Sequence, residues 1–394
     1  MSLKKRFLLV TSYTYPEQAG SGINALNFAK HLNKSGNTAT LLSFNRASFL
    51  SLKFFVDNTS IIRIPYLNQN ILLKILWLPV ILYWYIIQII YSDIVIVYGN
   101  KIIAYEFIIL ITKLLNKKVV FRSLLLGVDD LNTVVGKNKL LGAFYKLLFK
   151  RIDVYHSINN EFARQFIKHV GSNNKILEAT QGVDINTFYP KNNKEILRKK
   201  LGLPQDEVII LSVGFLIERK GYLPVFKLLS TLNFKFKYVV LGEYDFSNKH
   251  YLRKYAVEAL SIYNNGIELL KNKVEIIGFT ENCNEFMQCS DFMIHNASCE
   301  GLPNVILEAM SCGLPVLTRN LKGLSGSILK HKNNCLVYNN YDELKKYLKQ
   351  IFSNNNILEE LKDNSTTFIR KNSSFDYIAN EILEKIYGIQ KNAG

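Results

Sequence analysis

The feature that most limits what this chain can fold into is an alternation of short apolar runs with stretches of helical spacing. Residues 7–10, 38–44, 94–98 and 119–124 are apolar or β-branched and have the length of strands. Between the first two, apolar residues at 25, 26, 28, 29 and 32 have the spacing of a helix that buries one face. Near-continuous apolar strands alternating with helices pack as a parallel sheet covered on both sides. The rhythm restarts at 208–214 (VIILSVG) and continues at 238–242, 274–278, 291–295 and 315–318. Two doubly wound α/β halves are therefore expected. They join near QGVDINTFYPKNNKE, where Pro190 and paired asparagines signal turns. The divisions read as 1–187, 188–372 and a closing segment 373–394. A length of 394 residues is enough for two full cores.

Charge is distributed unevenly. The net charge is +17, of which residues 1–190 carry +12 and residues 191–394 carry +5. A basic first half suits an anionic partner, either a membrane surface or a phosphorylated ligand, or is simply a soluble lysine-rich surface. Nucleic acid is disfavoured, because the basic residues are dispersed and no reading helix is visible. The five cysteines are odd in number and have no CxxC spacing, which argues against a zinc site and a disulfide framework. Reduced thiols in the cytosol are the simpler expectation. The opening MSLKKRFLLVTSYTYP has a basic start, but FLLV is too short for a signal core of about 7–15 residues. A buried first strand accounts for it better.

Residues 71–91 (ILLKILWLPVILYWYIIQIIY) interrupt the pattern. Lys74 is their only charge, and the run is long enough to span a bilayer. Pro79 lies within it, and it ends just before the strand at 94–98, where a crossover helix belongs. Three readings stand: a span, a helix lying on a membrane, or an unusually apolar buried helix. Trp77, Tyr83, Trp84, Tyr85 and Tyr91 suit an interface, with apolar bodies and polar tips.

Residues 291–317 (DFMIHNASCEGLPNVILEAMSCGLPVL) carry most of the chemistry. A strand ends near His295, the loop ASCEGLP follows, and a helix starts near Pro303 and Asn304, since proline suits a first helical turn. Glu300 in the loop and Glu308 in the helix both belong above the carboxyl edge of the sheet, where open α/β sheets bind ligands. The helix N-terminus favours phosphate, and a nearby carboxylate can accept sugar or ribose hydroxyls. These parts together suit a nucleotide diphosphate-sugar.

The run EGLPNVILEAMSCGLPV resembles the Glu-x7-Glu signature of the retaining GT-B glycosyltransferases, the group 1 or family 4 enzymes. Further likeness lies in SVGFLIERKG, QGVDINTFYP, AGSG at residues 19–22 and SSFDYIANEILEKIYG, so it covers nearly the whole chain. The resemblance implies an α/β GT-B fold: two Rossmann-like domains facing across a cleft, with a C-terminal helix crossing back to the first. It implies that Glu300 contacts the donor sugar and Glu308 the ribose. Backbone groups of Gly301, Leu302, Pro303, Asn304 and Val305 would reach sugar and phosphate. Lys220 matches the phosphate-binding lysine, with Gly214, Gly278, Gly20 and Gly22 also on the donor side. One departure stands out: the family usually has arginine where this chain has Phe215, and Arg219 is the candidate to compensate.

No Asp-x-Asp pair occurs to hold a divalent metal on a diphosphate, which agrees with the family's usual metal independence. No histidine follows the fourth strand of the first half. Asp129 and Asp130 stand there instead, either accepting from an acceptor hydroxyl or starting the next segment. His156 and His295 are expected to be structural. The implied activity is transfer of a sugar from a UDP- or GDP-sugar to a glycan or lipid-linked acceptor with retention, in surface polysaccharide or lipopolysaccharide assembly. No cofactor beyond the donor substrate is expected. The expected location is cytoplasmic and peripheral, on an anionic membrane surface at the inner face. A nucleotide-sugar epimerase of the same fold, or a degenerate membrane-associated scaffold, are the competing classes.

Overall fold

Strands form where the sequence offers short runs without a polar side. The computed structural model describes residues 4–14, 20–45, 51–65, 71–99, 102–136, 139–245, 255–354 and 356–388. They divide into two units, Met1–Asp184 with Ser373–Gly394, and Ile185–Asn372. The first unit runs β1 (Arg6–Val10), α1 (Gly20–Lys34), β2 (Thr38–Asn45), β3 (Lys53–Val56), β4 (Thr59–Pro65), α2 (Ile71–Ile90), β5 (Ile94–Tyr98) and α3 (Tyr105–Leu114). It continues with β6 (Lys118–Arg122), α4 (Leu131–Gly136), α5 (Lys139–Arg151), β7 (Val154–Ser157), α6 (Asn160–Val170) and β8 (Ile176–Glu178). The sheet order is β3-β4-β2-β1-β5-β6-β7-β8. β5 is buried at all of its positions, as a strand in the middle of a covered parallel sheet must be.

The sequence reading did not anticipate the edge hairpin. β3 pairs antiparallel with β4 across Asp57 and Asn58, which have φ of 46° and 61°. Two successive left-handed residues make the turn whose twist matches a hairpin, and Asp and Asn tolerate that conformation. Lys53 and Phe55, exposed on β3, sit on an edge strand that is only four residues long.

The second unit runs α7 (Lys194–Lys200), β9 (Val208–Val213), α8 (Tyr222–Ser230), β10 (Phe236–Leu241), α9 (Ala256–Leu270), β11 (Val274–Ile276) and α10 (Cys283–Cys289). It closes with β12 (Phe292–His295), α11 (Asn304–Ser311), β13 (Val316–Arg319), β14 (Leu336–Tyr338), α12 (Tyr341–Ser353) and α13 (Asn356–Asn372). Its strand order is β11-β10-β9-β12-β13-β14, all parallel. This is the doubly wound order that reverses direction between its first and fourth strands. β11 stops at Ile276, short of its apolar run, and Gly278 two residues on has φ of 80°.

After α13 the chain rejoins the first unit as α14 (Phe375–Tyr387). The Ser374 side chain caps it by accepting from Tyr377 N at 3.1 Å. Phe375, Ile378, Ala379 and Ile382 enter the same core as Phe28 of α1. Gly182 is required here. A Cβ on it would stand 2.5 Å from the Phe375 ring, and its φ is 89°.

The apolar stretch at 71–91 forms a single helix, α2, followed by Tyr91. Among the described residues no helix is long and apolar enough to cross a membrane. Ile81, Tyr85 and Ile89, at four-residue spacing, are buried, whereas Tyr83, Ile86 and Ile90 are exposed. The Tyr85 hydroxyl donates to Ile103 O. Trp77 and Trp84 are half-buried, and the side chains of residues 71–75 lie outside the described set. Tyr85 is thus a core residue and not an interfacial one. Tyr85→Ala is expected to cost about 3–5 kcal/mol in urea unfolding. Tyr83→Ser is expected to stay within about 0.5 kcal/mol of wild type.

Candidate active site

The strand order of the second unit puts the loops after β9 and β12 side by side at the reversal point. Ligands bind such sheets outside the carboxyl ends of those strands. The loop after β9 starts at Gly214 and ends in a single 3-10 turn, Glu218–Lys220, before Gly221 and α8. The loop after β12 runs from Asn296 to Pro303. Asn296 stitches the two together: its Nδ2 donates to Gly221 O at 2.7 Å, and its Oδ1 accepts from the Tyr338 hydroxyl at 2.9 Å. Ser298 N donates to Arg219 O at 2.9 Å. Gly221 has φ of 69°, and a Cβ on it would lie 2.5 Å from Asn296, so no side chain fits between the loops.

This stitching brings three of the expected residues to one atom. Glu300 Oε1 lies 2.6 Å from Lys220 Nζ and 2.8 Å from Arg219 Nη1. Arg219 also donates to Cys299 O at 2.7 Å. The carboxylate is nearly buried, which disfavours its charge, but Lys220 leads the groups that hold it below the ordinary range. His295, at the end of β12, has its Nε2 3.9 Å from the same oxygen. Burial first and Lys220 second push its pKa down to about 3, so it stays neutral at working pH. Phe215, the departure noted in the sequence, is partly buried and packs against the core of the unit.

Glu308 has a different environment. It lies on α11, half-buried, with no side-chain hydrogen bond or ion pair among the described residues. Burial alone raises its pKa from 4.5 to about 7. Cys283 and Cys312 are its neighbours, and both thiols are raised, first by burial and then by Glu308. The two carboxylates eight positions apart are thus held apart in charge: Glu300 is ionised by its cations, and Glu308 is poised near neutrality.

The other expected residues distribute as follows. Gly301, Leu302 and Pro303 are buried in the loop leading to α11, and Asn304 and Val305 begin the helix. Pro303 occupies the N-cap and has no side-chain group to cap it, leaving the terminus to its backbone N–H groups. Gly214, with φ of 141°, touches the Lys220 stem: a Cβ would stand 3.2 Å from Cε. Gly278 lies two residues beyond β11, the edge strand two places from β9. Among the described residues no three His, Cys, Asp or Glu side chains gather as metal ligands.

In the first unit, Gly20 and Gly22 form the first turn of α1 rather than a loop before it, and Ala19 lies outside the described residues. Gly22 is forced: a Cβ would stand 2.3 Å from Tyr13 O. Asp129 accepts from Leu124 N at 2.9 Å and Leu125 N at 2.6 Å. Asp130 accepts from Gly127 N and from Thr133 N at 3.2 Å, at the start of α4. Both residues are buried, and both carboxylates accept from local backbone N–H groups.

Sequence reasoning passed over Asn296 and, in the first unit, Arg122. Arg122 is fully buried at the end of β6, 2.9 Å from His156 Nδ1 and 3.3 Å from Asn24 Oδ1. His156 Nε2 donates to Thr180 O at 2.9 Å, which leaves Nδ1 as the acceptor. An asparagine or arginine after an apolar strand is the only signal the sequence offered, and it is shared by many structural residues.

Residues 193–368 match the family model described as Glycosyl transferases group 1. A galactosyltransferase of Escherichia coli, UDP-Gal:alpha-D-GlcNAc-diphosphoundecaprenol alpha-1,3-galactosyltransferase, is 28% identical over 213 residues, 52% of this chain and 50% of that one. The chain spans about half the length of the curated relatives it matches. A glycosyltransferase of Rickettsia africae has a solved structure like this one, with a TM-score of 0.76, 19% identity and coverage of 99% and 100% of the two chains. Anabaena HepE in complex with UDP and glucose gives 0.75, 16%, 98% and 100%. These likenesses show the GT-B fold expected from the sequence.

The raised pKa of Glu308 has a measurable consequence for stability. Ionisation costs the folded state nothing below the ordinary value of 4.5, progressively more up to about pH 7, and a constant amount above that. Glu308→Gln removes that cost. Its melting temperature is expected to exceed wild type by roughly 2–4 °C or more at pH 8 and to match it near pH 4, read by calorimetry. Equal melting temperatures at both pH values would contradict the assignment.

Proposed function

We propose that this chain is a group 1 glycosyltransferase that moves a sugar from a nucleotide-diphosphate donor to a glycan or lipid-linked acceptor, with retention of configuration. The observation that carries the reading is the meeting of Lys220, Arg219 and Glu300 at the strand-order reversal of the second unit. Two cations and one carboxylate beside the start of α11 form a charge set that a diphosphate-sugar can enter. The diphosphate takes the cations and the helix terminus, while Glu300 accepts from a sugar hydroxyl. Among the described residues no cation pairs with Glu308, so it is suited to accept the paired ribose hydroxyls in its ionised form.

In the reaction, the bond from the anomeric carbon to the phosphate oxygen breaks and a bond to the acceptor oxygen forms on the same face. The acceptor proton passes to the departing phosphate. Lys220 and Arg219 offset the charge that develops on the leaving diphosphate, where a positioned cation is most effective. A UDP- or GDP-sugar is the donor in this reading. The relative that acts on a diphosphoundecaprenol acceptor, and the solved neighbour holding UDP and glucose, support the choice of substrates. The proposed place of action is the inner face of the membrane, in surface polysaccharide or lipopolysaccharide assembly.

A screen of nucleotide sugars for hydrolysis and transfer tests the reading and separates it from acceptor-free epimerisation. Lys220→Ala is expected to lower kcat by about 10²–10³ with a smaller change in KM, because its charge matters most as the diphosphate departs. Activity is expected to persist in EDTA, since protein cations are assigned the diphosphate. Loss on chelation, restored by Mg²⁺ or Mn²⁺, would overturn that assignment.

A further inference from the structure

We propose that the outer face of α5, with the adjoining edges of α3 and α2, docks onto an anionic lipid bilayer. α5 reads KLLGAFYKLLFKR and is apolar on two sides. Its inner side holds Gly142, Leu148 and Phe149. A Cβ on Gly142 would stand 2.5 Å from Val135 O, so this side is pinned against α4 and the helix cannot roll. The opposite side therefore leaves Leu140 84%, Leu141 51%, Phe144 41% and Leu147 62% exposed. Scattered apolar residues on a surface are ordinary, but four large ones on a single 13-residue helix form a patch that asks for a cover.

The helices packed beside α5 expose large apolar side chains as well. α3 packs against both α5 and α2, and it adds Leu114, which is 82% exposed. α2 adds Tyr83 and Ile86 on the side away from its buried stripe. The aromatic run that the sequence singled out thus contributes its rim, not its core.

Charge decides the occupant. α5 carries Lys139, Lys146, Lys150 and Arg151, all exposed, and no acid. Across α2, α3 and α5 the only carboxylate is Glu106, and it accepts from the Tyr145 hydroxyl at 2.9 Å. Asp153, just beyond α5, is paired with Lys113 at 2.8 Å and with Lys118 at 3.4 Å. An apolar stripe flanked by long cationic side chains, with no free acid, matches the layered chemistry of a bilayer. The leucines enter the acyl boundary, and the lysines reach lipid phosphates on flexible stems. A lipid-linked acceptor, proposed above, would give such a face its use, and only there do the two readings meet.

Co-sedimentation with phosphatidylcholine vesicles, with and without phosphatidylglycerol, tests the face on the intact chain. Wild-type protein is expected to sediment with the anionic vesicles at low salt, weakly with the neutral ones, and less as salt rises. Leu140→Ser with Leu147→Ser is expected to weaken partitioning by about tenfold or more for each residue. The circular dichroism spectrum should not change, since both side chains are largely in water. Lys146→Glu with Lys150→Glu is expected to remove the salt-sensitive part, and this pair carries the test if the serine variant misfolds. Wild-type protein that stays in the supernatant, or variants that sediment like wild type, would overturn the proposal. So would a wild-type dimer in light scattering that Leu140→Ser converts to monomer, since the face would then join two copies of the chain. Protein that ignores vesicles but glycosylates a soluble acceptor sinks the docking face alone. Protein that binds vesicles but transfers no sugar sinks the transferase reading alone.

Discussion

The parallel pairing of β9 with β12 is the constraint from which the chemistry of the second unit follows. Residues 214–291 separate the two strands, yet Phe292 sits opposite Ile210 and Met293 opposite Leu211. Only because these strands are neighbours do their following loops meet, and only then can Asn296 bridge them. Lys220 and Arg219 come from one loop and Glu300 from the other. A slip in the pairing would leave a nearly buried carboxylate without its cations, a state that costs several kcal/mol. The core of the unit, Ile210, Phe292, Ile294 and Tyr238 among others, therefore acts on the site by holding register.

Inside that frame the two glutamates divide the electrostatic work. Glu300 is surrounded by charge and kept ionised, so it can exchange partners with a ligand without first losing a proton. Glu308 has the Cys283 and Cys312 thiols for neighbours and is raised toward neutrality by burial, so ionising it opposes folding. Glycines at 214, 221 and 278 adopt backbone angles that side chains avoid, which lets the chain turn sharply at those points.

The first unit handles polar burial differently. Arg122, His156 and Asn24 form a chain across β6, β7 and α1 in which the neutral histidine accepts from the guanidinium. Burial pushes the arginine down and the histidine well below its ordinary value. Asp129 and Asp130 lie close by in sequence but direct their carboxylates to backbone N–H groups, and no acid pairs with Arg122 among the described residues. α14 closes this unit by packing Phe375 onto Phe28 at 5.5 Å between ring centres. The closing segment of the chain therefore belongs to the core of its beginning.

The sequence by itself determined the class of fold and the main site segment. Apolar runs such as IVIVY and VIILSV have no polar side, so they can only be central strands, and Glu300 and Glu308 lie in one continuous stretch whose strand, loop and helix are locally encoded. The hairpin at Asp57 and Asn58 escaped because β3 is only four residues long and half exposed. Which face of a helix is covered was not legible either. The stretch at 71–91 is apolar all round, so periodicity could not say that Tyr85 points inward and Tyr83 outward. Tertiary structure decided these points, along with the meeting of Arg219 and Lys220 with Glu300 and the exposure of α5. Each depends on what another part of the chain places alongside, and a linear pattern records spacing along one element, not the neighbour that packing brings to it.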